Sequence, residues 1–367
     1  MIEPKYDCKH FIGYKPCLPH KLHGVICNNC NHYEKIGKRI LLINLEYAGD
    51  VLRTTSLLKP LKEKYPECHI TWVVNKRSEE FLINNNLIDR ILFAGNEALC
   101  RLIIEEFDFV INLDKRADAT SLATIVKAKG KRGFGLRADG NLFAYDDTSK
   151  SLLDMGLSDE IKRANKKTQQ EIIFEISGLE YKRQMPVLNI TEEGKKFADE
   201  FLLNHKINPA EKIIGIHTGC GSLFPDRKWS IERFSELIEM LDEKIIIFTG
   251  PREKEINKKL ETKDNVIIAD TSKSLQHLAA LISKCSLVLT GDTMAVHIAA
   301  ALKIPTVVLF GPTNEHEIEI YDNGVRISSP SKHAPCYKHL CEMHGGPKCV
   351  DEISANDVCT AIKNIIG

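Results

Sequence analysis

Leu287 to Thr313 reads LVLTGDTMAVHIAAALKIPTVVLFGPT, and this stretch decides the fold class. An apolar, β-branched run ends at Thr290, Gly291 makes a turn, and Asp292 and Thr293 open a segment with helical spacing that runs to Leu302. Pro305–Phe310 is a second apolar run, followed by Gly311, Pro312 and Thr313. Strand, helix and strand in such close succession form a βαβ crossover, which demands parallel pairing and a right-handed connection.

The same alternation extends outward through most of the chain. Ile40–Leu45, Ile70–Val74, Phe109–Leu113, Ile213–His217, Lys244–Thr249, Val266–Ala269 and Leu287–Thr290 read as strands. Several are unbroken apolar runs, as expected of parallel strands covered on both faces. Helical spacing fills Thr54–Lys64, Asn96–Glu106, Ile231–Leu241, Ser274–Ser283 and Thr293–Leu302. Residues 135–165 hold no clear strand and read as irregular structure around short helices. A helix over Thr168–Ile176 follows, and Leu179–Gly194, with Pro186 inside it, reads as a connection before a second α/β series begins at Ile213. The expected organisation is a knuckle over 1–36, one Rossmann-like domain over 37–190, another over 191–330 and a tail over 331–367. Two such α/β halves place a cleft between the carboxyl ends of their sheets.

A chain of 367 residues fits two domains and a remainder at roughly 150 residues each. Fifty basic residues balance fifty acidic ones, which removes the basic excess that nucleic acid or an anionic membrane calls for. The most apolar stretch, Val288–Phe310, is broken by Asp292, His297 and Lys303, so no membrane span is expected. The first residues lack the apolar core of a secretion signal, so the expected location is the cytoplasm, with at most peripheral contact at the inner face of the membrane.

Three stretches carry chemistry. In Ile43–Thr55, INLEYAGDVLRTT, Asp50 stands near a helix start. It reads either as an N-cap or as a carboxylate facing the cleft, able to take a proton from a hydroxyl nucleophile. In Ile213–Phe234, a strand runs into Thr218-Gly219-Cys220-Gly221-Ser222 and then Asp226-Arg227-Lys228-Trp229. Small residues let backbone N–H groups approach an anion, and Arg227 with Lys228 can neutralise a diphosphate; a surface turn with solvated charges is the plainer reading. In the third stretch, the helix opening behind Gly291 offers an anion site, with His297 on the same face as Thr293. No Asp-x-Asp pair and no P-loop occurs. Gly133-Phe-Gly135-Leu-Arg-Ala138 approaches a dinucleotide fingerprint, but it follows a basic stretch and opens no helix.

In this order, AGDVLRTTSLLKPLKEKYP, HTGCGSLFPDRKWS and GDTMAVHIAAALKIPTVVLFGPT resemble glycosyltransferase family 9, the ADP-heptose heptosyltransferases of lipopolysaccharide core assembly. The resemblance implies an α/β GT-B fold, two Rossmann-like domains around a central cleft. It also implies inverting transfer of a heptose or similar sugar from ADP-heptose to a hydroxyl of a glycan, lipid-linked glycan or protein, without a catalytic metal. On it, Asp50 matches the general base, Arg227 a phosphate-binding lysine, with Lys228 sharing the role, and Asp292, Thr293 and His297 the Asp-Thr…His motif that holds donor sugar and diphosphate. Glu253 lies near the ribose-binding acid, and Thr218 and Gly219 join the donor site. Met294 departs from the glycine common there and could crowd the phosphates. Two other readings are a non-hydrolysing epimerase-like enzyme of the same fold and a catalytically inactive binding module.

The twelve cysteines crowd the two ends. Cys8, Cys17, Cys27 and Cys30 offer four thiolates, the last two at metal-ligand spacing, with His10, His20, His23 and His32 as further candidates. They predict a structural zinc, with iron on four thiolates as the alternative. At the other end stand Cys336, Cys341 and Cys349, with His333, His339, His344 or Cys359 to complete a set. In protein-modifying heptosyltransferases resembling this family such a tail binds iron, so a second site, a site shared by the two ends, and no metal in the tail all stay open.

Overall fold

The computed structural model describes residues 1–220, 225–342 and 348–367. Gly221 and Ser222 of the small-residue loop, and His344, lie outside the described residues.

The first sheet contains β1 (Arg39–Ile43), β2 (His69–Val74), β3 (Arg90–Phe93), β4 (Glu106–Asn112), β5 (Lys127–Leu136) and β6 (Leu142–Ala144), in the order β3-β2-β1-β4-β5-β6. All pairs are parallel except β5–β6. Ile40–Ile43 of β1 are fully buried because β1 is central and helices cover both faces, so its apolar run needs no alternation. The expectation of no strand in 135–165 is corrected: β6 and the end of β5 lie there, followed by helices Asp147–Leu157 and Asp159–Ala164. The edge strand β6 is three residues long and only half-buried, so it carries no apolar run to recognise. Gly133 and Gly135 belong to β5, and a Cβ on Gly133 would stand 1.7 Å from the Asn112 carbonyl oxygen. Those glycines serve close strand packing.

The second sheet contains β7 (Ile213–His217), β8 (Lys244–Thr249), β9 (Val266–Asp270), β10 (Leu287–Gly291), β11 (Thr306–Phe310) and β12 (Gly324–Ser328). Its order is β12-β11-β10-β7-β8-β9, parallel throughout. Counted from its own first strand, each sheet runs 3-2-1-4-5-6, the doubly wound order, with the switch of direction between β1 and β4 and between β7 and β10.

Packing divides the chain into two compact units. One holds residues 1–45, 57–76 and 86–149; the other holds 46–56, 77–85 and 150–367. The helix Ala48–Thr54, which follows β1 directly, therefore belongs with the second unit: Leu52 and Phe81 are buried in the same apolar cluster as Phe248, Leu281 and Ile298. The final helix, Ala355–Ile366, buries Val358, Cys359 and Ile362 against Ile214, Leu289 and Val307. Residues 1–36 close on themselves through Ile36 N–H to Asp7 O (2.7 Å) and Lys9 N–H to Glu34 O (2.8 Å), around a short helix, Leu18–His23. Among the described residues no helix is long and apolar enough to cross a membrane.

Candidate active site

The site is built at the carboxyl ends of β7, β8 and β10, where the second sheet switches direction. Gly291 ends β10, and Thr293 caps the helix Met294–Leu302 by accepting from Ala295 N–H at 3.2 Å. The Thr293 hydroxyl also meets the Thr290 hydroxyl (2.9 Å) and His217 Nδ1 (3.3 Å). Arg227 Nη1 donates to the Asp292 carbonyl (3.1 Å) and pairs with its carboxylate (3.0 Å). One guanidinium thus holds both ends of the residue that precedes the cap, which fixes the turn between strand and helix.

On the other side of β7, Thr218 is buried and its hydroxyl donates to Asn257 Oδ1 (2.8 Å), while Asn257 Nδ2 donates to the Thr249 hydroxyl (2.7 Å). Thr218 therefore shapes the loop from within. Glu253 is buried, receives Lys228 Nζ at 3.3 Å, and approaches so closely that a Cβ on Gly219 would lie 3.2 Å from its carboxyl carbon. The segment carrying Arg227 and Lys228 is anchored by the chain's end: Trp229 Nε1 donates to Ile353 O (3.2 Å), and Asp226 accepts from Cys341 N–H (2.7 Å) and pairs with Lys348. Burial works against ionising Asp226, but these partners prevail and hold its carboxyl below the usual range.

Asp50 lies in the first turn of Ala48–Thr54, whose N-cap position is Tyr47; its own N–H donates to Tyr47 O (2.9 Å). Capping is thus not its role, and its carboxylate accepts from Arg53 Nη2 at 2.6 Å. Gly49 lets this helix approach Met294–Leu302, since a Cβ there would stand 3.1 Å from His297 Cδ2. His297 is 5% exposed and its Nδ1 has no partner among the described residues. Burial, with Arg53 beside it, lowers its pKa to about 4 against the opposing pull of Asp50 and Asp292. The imidazole is therefore neutral at physiological pH, between two carboxylates from two different motifs. His217 is likewise lowered to about 4 by burial. Met294 packs against the apolar cluster shared with Ala48 and Leu278.

Three contributors were not singled out in the sequence, although Arg53 and His217 lie within the quoted stretches. Arg53, His217 and Asn257 each act through a partner distant in the chain or one helical turn away. A histidine closing an apolar strand ahead of a small-residue loop was the one available signal.

The cysteines fall into two groups. Cys8, Cys17, Cys27 and Cys30 all line one cavity of ≈ 30 Å³, together with His10 and His32. Burial, together with the nearby Cys336 and Cys341 thiols, raises Cys349 to about 11, so those three are neighbours. Cys359 is core, and every cysteine is a free thiol. Among the described residues no group of three or more His, Cys, Asp or Glu side chains is placed to hold a metal ion.

Two doubly wound units, one with cations, a buried acid and a capped helix start at its switch point, define a nucleotide-sugar enzyme of the GT-B class. Residues 97–345 match glycosyltransferase family 9 (heptosyltransferase), and the chain belongs to that family. It is 26% identical over 307 residues to the lipopolysaccharide core heptosyltransferase OpsX of Haemophilus influenzae, covering 78% of this chain and 82% of that one. The fold is similar to that of ADP-heptose lipopolysaccharide heptosyltransferase II of Escherichia coli (TM-score 0.65, 16% identity, 89% and 98% of the two chains). It is also similar to the iron-containing dodecameric glycosyltransferase TibC of enterotoxigenic E. coli H10407 (TM-score 0.54, 14% identity, 90% and 76%).

Proposed function

We propose that this glycosyltransferase moves a heptose, with inversion, from ADP-heptose to a hydroxyl of a cell-surface glycan or protein acceptor. Asp50 is the general base, and Arg227, Lys228, Glu253, Asp292, Thr293 and His297 hold the donor. The observation that carries the reading is the close approach of the Asp50 helix, at Gly49, to His297 in the helix that Asp292 and Thr293 open, within one compact unit.

The Asp50 carboxylate takes the proton of the acceptor hydroxyl as its oxygen bonds to the anomeric carbon. The bond from that carbon to the diphosphate oxygen breaks, and its electron pair leaves with the nucleotide. Arg227, Lys228 and the N–H groups at the start of Met294–Leu302 stabilise the charge that develops there. Arg53 holds the Asp50 carboxylate in one orientation. Replacing Asp50 with Asn removes the base and leaves the cations in place. Turnover of ADP-heptose should fall by about 10²–10⁴-fold with ADP affinity kept, read by transfer assay and calorimetry; unchanged turnover overturns the assignment.

The same proposal gives the four N-terminal thiols a structural zinc or iron, and the C-terminal three a second candidate site. Support comes from four soft donors lining one cavity, and from thirty residues too few to build a core of their own. One metal per chain, lost together with the order of residues 1–36 on chelation, is the expected result of metal analysis and circular dichroism.

A further inference from the structure

Beyond the carboxyl ends of β11 and β12 lies a cavity of ≈ 210 Å³ that the transfer reaction leaves unused. Thr313, Asn314, Ser328 and Ser329 line it on one side, Arg163 from the last turn of helix Asp159–Ala164 and Lys166 from just beyond that helix. Thr313 is 4% exposed, yet its hydroxyl has no hydrogen-bond partner among the described residues. A buried, unmatched hydroxyl is costly, and the cavity beside it is where the missing partner belongs.

The cations are held in place. Asn314 Nδ2 donates to the Arg163 carbonyl (3.4 Å) and the Asn165 carbonyl (3.2 Å), and Asn314 Oδ1 accepts from His316 N–H (3.1 Å). One buried amide thereby ties the 163–165 backbone to the turn after β11. A second clamp sets Lys162 Nζ 4.0 Å over the Tyr337 ring, whose hydroxyl donates to Glu317 at 2.6 Å. Lys166 Nζ lies 3.3 Å from His316 Nε2, which fixes the lysine head at the wall. Among the described residues neither Arg163 nor Lys166 forms an ion pair, and Glu315 is the one acid on the wall. The wall therefore combines a net positive charge, a free hydroxyl donor and a polar floor.

We propose that this cavity binds an anionic group of the phosphate class, with Arg163 and Lys166 taking its charge and the Thr313 hydroxyl donating to one of its oxygens. The group is either a phosphate substituent on the glycan acceptor or free inorganic phosphate. Only the first source rests on the transfer reading; the cavity does not.

The test titrates inorganic phosphate into the full-length protein saturated with ADP, which occupies the diphosphate site. Binding is expected, and it should weaken at least about tenfold in Thr313→Val and in the Arg163→Gln/Lys166→Gln pair, with ADP affinity unchanged. Thr313→Ser should keep it. Without phosphate, Thr313→Val should melt higher than the parent, because it removes the unmatched hydroxyl, and it should lose the phosphate-induced rise in Tm. No phosphate binding, or binding undiminished in both variants, overturns the proposal. Loss of ADP binding in the parent would instead count against the donor-site reading alone. Transfer to phosphorylated and dephosphorylated acceptors separates the sources. An acceptor phosphate predicts that Thr313→Val raises KM only for the phosphorylated substrate; free phosphate predicts equal KM for both.

Discussion

The two sheets share one strand order and put their switch points to opposite use. At the first, between β1 and β4, the polar groups satisfy one another. Fully buried Asp114 accepts from Leu45 N–H (2.9 Å) and Arg116 N–H (2.7 Å). Asn112 Nδ2 donates to the Asp114 and Phe134 carbonyls (2.9 and 2.8 Å), and Asn112 Oδ1 accepts from Asp114 N–H (3.1 Å). At the second, between β7 and β10, Arg227 and Lys228 pair with the carboxylates of Asp292 and Glu253, and His297 Nδ1 has no partner among the described residues. A shared topology thus supplies a crevice twice, and side-chain satisfaction decides which crevice is scaffold and which is site.

The sharpest way to break this contrast is Asp114→Ala. It strands two buried N–H donors, and urea unfolding should show a loss on the order of 3 kcal/mol. Arg227→Gln probes the other crevice: ADP affinity should fall about 10- to 100-fold by calorimetry, with the unfolding midpoint close to the parent's, since a charge-assisted hydrogen bond is worth ~1.5–3 kcal/mol. The smallest effect is in pH dependence. His217 and His297 in the second unit and His69 in the first are all lowered to about 4 by burial, from 6.5 when unfolded. The unfolded chain therefore binds more protons between those values, and stability is full above pH 6.5 and declines as pH falls toward 4. Replacing His217 with Gln should make that decline shallower in a pH series of melting curves, and an unchanged slope would mean that His217 is not buried neutral.

How much of this was legible in the chain follows burial. Central strands such as Ile213–His217 and Lys244–Thr249 announce themselves as apolar runs, and their observed bounds equal the expected ones. The strands that escaped, β3, β5, β6 and β12, lie at or next to sheet edges, where one face or end meets solvent. Lys127–Leu136, KAKGKRGFGL, carries four cations and three glycines and looks like a loop until β4 lies beside it. Asp292 and Thr293 were legible because a glycine turn ahead of an apolar helix has a local signature. Arg53 was not, because its meaning is the carboxylate one turn back. Nor was the cavity near Thr313, whose two walls come from segments about 150 residues apart.

The placement of Ala48–Thr54 has a practical consequence. Residues 46–56 and 77–85 depart from the first unit and return to it, so the backbone passes between the compact bodies at five points along its length. No single cut parts the two bodies cleanly: whichever peptide bond is broken, at least one fragment holds pieces of both. Split expression or half-length truncation should give insoluble fragments, and chimeras with relatives are better made by exchanging loops than by swapping halves.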